Sequence, residues 1–274
     1  MINEIIDMFS YSFMIKAFIT GLLISLCASL IGVSLVLRKN SMIGDGLSHV
    51  GFGAFAVSTV LGFAPLEFSI PIVMLSSFLI LKIGDNSKIS GDSLIAIISA
   101  SSLAIGTFVI SLSGVNTDIN NYLFGSILSI SDSELIISII LSIVVVLLYI
   151  FSYNKIFAIT FDQKFAKSIG INTNFYNVIF ASLCSIVVVL GMRIMGSLLI
   201  SSLIIFPTIS SMQIFKKFKS VVISSVVISI ISFIIGLILS YLYETPTGST
   251  IVIINLMILT ICKLLSILKY KRHI

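Results

Sequence analysis

Asp45 and His49 stand four residues apart in Ile43-Gly44-Asp45-Gly46-Leu47-Ser48-His49-Val50. On a helix that spacing places a carboxylate and an imidazole on one face, one turn apart. Both groups are natural ligands for a divalent transition metal. A tetrahedral metal wants about four ligands, so two do not complete a site. Two copies of the chain meeting on a two-fold axis would supply two Asp and two His, and water would complete a looser site in one copy. Neutral imidazole and ionised carboxylate bind the cation, so acidification is expected to weaken capture by protonating His49. The competing reading is a plain helix entry, with Asp45 near the positive N-terminal end and His49 incidentally buried. The paired spacing, Ser48 as a neighbouring polar group, and the absence of another His before His273 favour the metal.

These two groups sit in a chain of 274 residues that is 58% hydrophobic and 10% charged, with a mean hydropathy of +1.21. A soluble domain cannot hide that much apolar surface, so an all-α polytopic membrane protein is expected. Inside a membrane an idle ionisable pair is costly, which is why it is read as functional. Windows able to span a bilayer fall at 13–37, 43–62, 68–83, 94–112, 134–152, 174–191, 196–213, 220–241 and 251–268. That makes about nine helices, or eight if the pair flanking Arg193 merges, in a single transmembrane domain over 1–274. The apolar run 17–37 is too long for a signal h-region and no cleavage site follows, so it reads as a retained first span.

The loops alternate in charge. Arg38-Lys39, Lys82 with Lys88, Lys155 with Lys164 and Lys167, Lys216-Lys217 with Lys219, and Lys269, Lys271 and Arg272 mark one side. Glu67, Asp118, Asp132, Glu134 and Glu244 mark the other, with Arg193 the exception. The positive-inside rule puts the C-terminus in the cytoplasm and, for nine helices, the N-terminus outside. The net charge of +5 therefore speaks of orientation, not of nucleic acid. Cys27, Cys184 and Cys262 are scattered singly and read as small core residues.

Three further stretches stand out. Phe161-Asp162-Gln163-Lys164-Phe165-Ala166-Lys167-Ser168-Ile169-Gly170 predicts a short amphipathic helix over 162–168 stopped by Gly170. It would be a lever for a cytosolic partner or a solvated connector. Gly191-Met192-Arg193-Ile194-Met195-Gly196 predicts an external turn with an anchoring charge, its methionines filling gaps. Pro207 is expected to kink or break the helix that follows. Tyr241 to Ile251 reads as an external turn in which Glu244 attracts cations or merely connects. Segments three to five are rich in Ser, Ala and Gly, which lets helices approach closely in lipid. No GxxxxGK[ST] loop, HExxH helix or GxSxG elbow occurs, so neither ATP hydrolysis by that route nor catalysis is supported.

With these residues in hand, the chain resembles the permease subunits of the zinc/manganese family of bacterial ABC importers, along essentially its whole length. The likeness rests on Gly44-Asp45-x-Leu47-Ser48-His49 after Arg38, and on Tyr122-Leu123-Phe124-Gly125-Ser126-Ile127-Leu128. It continues through Asp162-x-x-x-Ala166-x-x-x-Gly170, Gly191-x-Arg193-x-x-Gly196 to Pro207, and Pro246-x-Gly248. The resemblance implies a type II ABC importer-like permease working as a homodimer, with a separate cytoplasmic ABC ATPase and an extracytoplasmic metal-binding protein. It implies the bacterial plasma membrane, Asp45 and His49 along the metal path, and Asp162, Gln163, Lys164, Ala166 and Gly170 as the ATPase-coupling element. No cofactor would be held permanently; Zn2+ or Mn2+ would be cargo. Family members commonly carry Ala at Gly46, which would tighten that turn, and Asp near Glu244.

The mechanism expected is alternating access driven by the ATPase. His49 ranks zinc first, whereas carboxylate and water suit manganese. Two other classes compete. A proton-coupled secondary transporter would use the same pair as a relay, but needs no docking lever. A membrane metallohydrolase would need a third protein ligand and a base near His49, and the sequence offers none.

Overall fold

The computed structural model describes residues 4, 7–86, 91–114, 125 and 130–271. Among them ten helices follow one another without a strand. They are α1 (Ser12–Leu37), α2 (Ile43–Leu61), α3 (Pro65–Asn86), α4 (Gly91–Ser113), α5 (Asp132–Phe161), α6 (Gln163–Ser168), α7 (Thr173–Met195), α8 (Ser197–Ile214), α9 (Phe218–Tyr243) and α10 (Thr247–Lys271). Each expected window meets one of the long helices. Eight of the described helices are long and apolar enough to cross a membrane. The ninth long helix is α2, 19 residues, whose Asp45, His49, serines and glycines dilute its hydrocarbon.

Local chemistry sets the boundaries. Pro65 opens α3, where its missing N–H is not needed. Ser131 and Glu134 form a reciprocal capping box at the start of α5. That helix runs 30 residues, well past the window 134–152. Its extra turns carry Tyr153, Phe157 and Phe161, whose rings lie 5.0–6.0 Å from Phe218 at the start of α9. The break expected at Pro207 does not occur, because α8 continues through it to Ile214. Thr208 Oγ1 donates to the Ile204 carbonyl at 3.1 Å, an added bond beside the missing proline N–H that helps hold the local turn.

α1 is the central helix, packed on α5, α7, α8 and α9. α2 lies against α4, α3, α7 and α8. The α2–α4 contact depends on small residues: a Cβ on Gly53 would stand 2.6 Å from the Ser102 carbonyl oxygen, too close for any side chain. Gly46 is inside the helix rather than in a turn, and faces Ile95 and Ser99 of α4.

The connections between successive long helices alternate, one set rich in Lys and the other carrying Glu67, Asp132, Glu134 and Glu244. Arg193 breaks the alternation for a reason now visible: its guanidinium lies 3.2 Å from Glu134. Lys16 pairs likewise with Asp132 at 2.6 Å. The cations at the acidic end are neutralised where they stand.

Candidate metal centre

Asp45 occupies the first turn of α2 and His49 the next, as their spacing requires. His49 Nε2 lies 3.7 Å from Asp45 Oδ2. Ser201 of α8 donates to Asp45 Oδ1 at 3.4 Å while also bonding the Ser197 carbonyl. The side chains are 43% exposed for Asp45 and 25% for His49, so the pair opens on the flank of a single chain instead of being sealed in its core. One edge of the carboxylate is held, and the rest can meet a cation.

The first turn of α2 packs on α8: Asp45 takes its bond from Ser201 in the second turn of that helix, and Gly44 faces Ile204. The corner preceding α8 is itself covered: Gly125 packs against the backbone of residues 194–196. The rest of the 122–128 stretch lies outside the described residues, as does His273.

Ser48 does not play the part its position suggested. It is fully buried and its hydroxyl donates to the Asp45 carbonyl at 2.7 Å, so it braces the backbone under the carboxylate. The polar neighbour of the Asp45 carboxylate is Ser201, 156 residues away in sequence. Among the described residues no cluster of three or more His, Cys, Asp or Glu occurs; Asp45 and His49 stand as a pair. Met192 and Met195 are buried, as gap-filling residues are. Glu244 caps α9 with a left-handed backbone, φ 52°.

The short helix expected over 162–168 is present as α6. Asp162 accepts from the Phe165 N–H at 2.9 Å and caps its start. Gly170, at φ 82°, closes its end: Gly170 N–H bonds Lys167 O and Ile171 N–H bonds Ala166 O. This double closure is a Schellman motif, and its left-handed residue is the reason for glycine. Ala166 is fully buried between α5 and α7, while Phe161, Phe165 and Ile169 are exposed. Gln163 is half-buried and Lys164 exposed.

Arg38, taken from sequence only as a topology signal, has a structural task. Its Nε donates to Thr160 at 3.4 Å and its Nη1 to Asn177 at 3.2 Å, with the guanidinium 4.8 Å from the Phe180 ring centroid. It joins the two helices that flank α6 to the end of α1, seven residues before Asp45.

The architecture defines a polytopic helical membrane protein with an Asp–His pair between α2 and α8. A model of the ABC 3 transport family matches residues 10–266, and the chain belongs to that family. The manganese import system permease protein ScaB of Streptococcus gordonii is 31% identical over 259 residues, covering 94% of this chain and 93% of that protein. The high-affinity zinc uptake system membrane protein ZnuB of Haemophilus influenzae is 30% identical over 244 residues, covering 89% and 94%. The solved structure of PsaBC from Streptococcus pneumoniae in complex with Fab matches with a TM-score of 0.85 at 29% identity, covering 96% of this chain and 95% of that one.

Proposed function

We propose that the chain, acting throughout 1–274 as one transmembrane domain, is the permease of an ATP-driven importer for a divalent transition metal. The observation that carries this reading is the Asp45–His49 pair, held by Ser201 between α2 and α8. Its half-open flank suits a second copy of the chain, which would bring two Asp45 and two His49 around one ion on a two-fold axis. The metal arrives from an extracytoplasmic binding protein. A separate cytoplasmic ABC ATPase drives the coupling element Asp162, Gln163, Lys164, Ala166 and Gly170. Pushing α6 tilts α5 and α7, and through Arg38 the end of α1, so the path past Asp45 opens alternately to the two sides. The basic end and the C-terminus then face the cytoplasm of a bacterial plasma membrane.

Zinc and manganese are the cargo under test. Imidazole ranks zinc first; ScaB is named for manganese and ZnuB for zinc. Cells lacking their own importers, expressing this chain with its ATPase and binding protein, are assayed with both metals as wild type, Asp45→Ala and His49→Ala. Uptake of one metal, lost in both variants while ATPase co-purification persists, is the expected result. Unchanged uptake in both variants would reduce the pair to a helix entry. A proton on His49 would occupy the lone pair that the metal needs, so wild-type uptake is expected to fall on acidification. Uptake rising with acid would point to proton-coupled transport.

A further inference from the structure

Asn255, in the third turn of α10, is 1% exposed. Its amide carries two N–H donors and a carbonyl acceptor, and no described residue bonds either Nδ2 or Oδ1. Among the described residues every other buried polar atom in that position is a hydroxyl. A hydroxyl can turn its proton onto the backbone of its own helix. An amide cannot, because its two ends ask for different partners. A group so deeply covered is beyond the reach of a second copy of the chain, of a partner protein and of bulk solvent. Whatever satisfies Asn255 sits inside the chain, and burying the amide unpaired at both ends would be costly in a membrane.

The contacts between α9 and α10 locate the amide. Ser240 Oγ lies 2.9 Å from Thr247 Oγ1, and one turn deeper Gly236 faces Ile251. The helices are therefore antiparallel, and the next turn sets Ser232 at the level of Asn255. The hydroxyl protons around this level are spent on backbone carbonyls. Ser232 donates to Ser229 O, Ser229 to Ser25 O of α1, and Ser202 of α8 to Leu199 O, each at 2.9 Å. These oxygens keep lone pairs but have no proton to give, so the Asn255 carbonyl is the end that the protein cannot serve. Neither Asp, Glu, Lys nor Arg occurs in 225–240 or 247–262, so nothing on these stretches balances a bound ion. The ligand is neutral, small, and both donor and acceptor. We propose that Asn255 holds an internal water in the seam between α9 and α10, taking a proton from it at Oδ1. The water in turn meets the lone pairs of the neighbouring hydroxyls, as buried waters do in polar sites. The site stands on the orphaned amide and does not depend on the transported metal or the ATPase.

The test is solid-state NMR on the full chain, isotope-labelled and reconstituted in lipid bilayers, with magnetisation transferred from water to the protein. Asn255 is the one asparagine followed by leucine, so paired Asn and Leu labelling identifies it in the wild type. The Asn255 side-chain N–H2 should receive water magnetisation as the exposed Asn174 does. The backbone amides of the buried Val187 and Val188 serve as the dry standard and should stay dark. Asn255→Leu keeps the side chain's approximate volume and removes both polar ends, and water transfer to the Ser232 amide should be lost in it. An Asn255 side chain as dark as Val187 would overturn the proposal, because the amide would then be satisfied by the protein. So would transfer to Ser232 that persists unchanged in Asn255→Leu, which would give the water to another residue. Should that variant fail to assemble, the wild-type comparison of Asn255 with Val187 decides alone.

Discussion

Two parts of the bundle are held together by different means. α1, α5 and α7 are joined at both ends by charged side chains: Glu134 with Arg193 at the acidic end, and Arg38 with Thr160 and Asn177 at the basic end. α2 and α4 meet through small residues, with Gly53 and Gly106 set against Ser102 and Phe52. Polar pins fix a geometry at particular atoms, whereas small-residue contacts hold two backbones close by dispersion and allow small sliding. Asp45 and His49 lie on the second kind of support, and α6 adjoins the first. A displacement of α6 would therefore move a stiff frame past a helix pair whose own contacts tolerate sliding.

The most damaging way to break this contrast is to fill the α2–α4 contact. Gly53→Leu drives a side chain into the Ser102 backbone, and loss of both assembly and metal uptake is expected; size-exclusion profiles and uptake report it. A well-assembled Gly53→Leu protein with normal transport would show that the two helices need not be close. Removing a pin should cost less. Arg38→Ala leaves the Asn177 amide, only 8% exposed, without that donor, a loss of about 1–3 kcal/mol. The melting temperature in detergent should fall, and transport should fall further than stability explains if Arg38 links α6 to α1. A fall in stability alone would make it a structural clamp. The smallest effect belongs to Lys16→Gln. Its partner Asp132 is 83% exposed, so stability should stay within about 0.5 kcal/mol, and a larger loss would mean that the acidic end is more tightly sealed than its exposure indicates.

The sequence made local features legible and long-range ones invisible. Asp162, Gly170 and the helix between them were readable because caps are written within a few residues. The spans were readable because hydrocarbon runs are long. Ser201 carried no such mark: a serine in an apolar helix looks like any other, and its contact with Asp45 bridges 156 positions. Ser48 misled for the opposite reason, since nearness in sequence said nothing about its hydroxyl turning to its own backbone. Arg38 was assigned to the Lys-rich end by its charge, but its partners on α5 and α7 lie 122 and 139 residues away. Pro207 was judged by its missing N–H, without the Thr208 hydroxyl one residue on.

The polar make-up of α2 has a consequence for how the protein is made. Asp45, His49 and several glycines and serines dilute the hydrocarbon of α2, which is what membrane insertion depends on. Emerging from the ribosome, it is a poor candidate to partition into lipid unaided. α1 and α3, which flank it in the chain and are far more apolar, must carry it across. Its glycine face then waits for α4, not synthesised until some thirty residues later by position in the chain. The polar residues that set this helix apart make its membrane insertion a cooperative act of its neighbours.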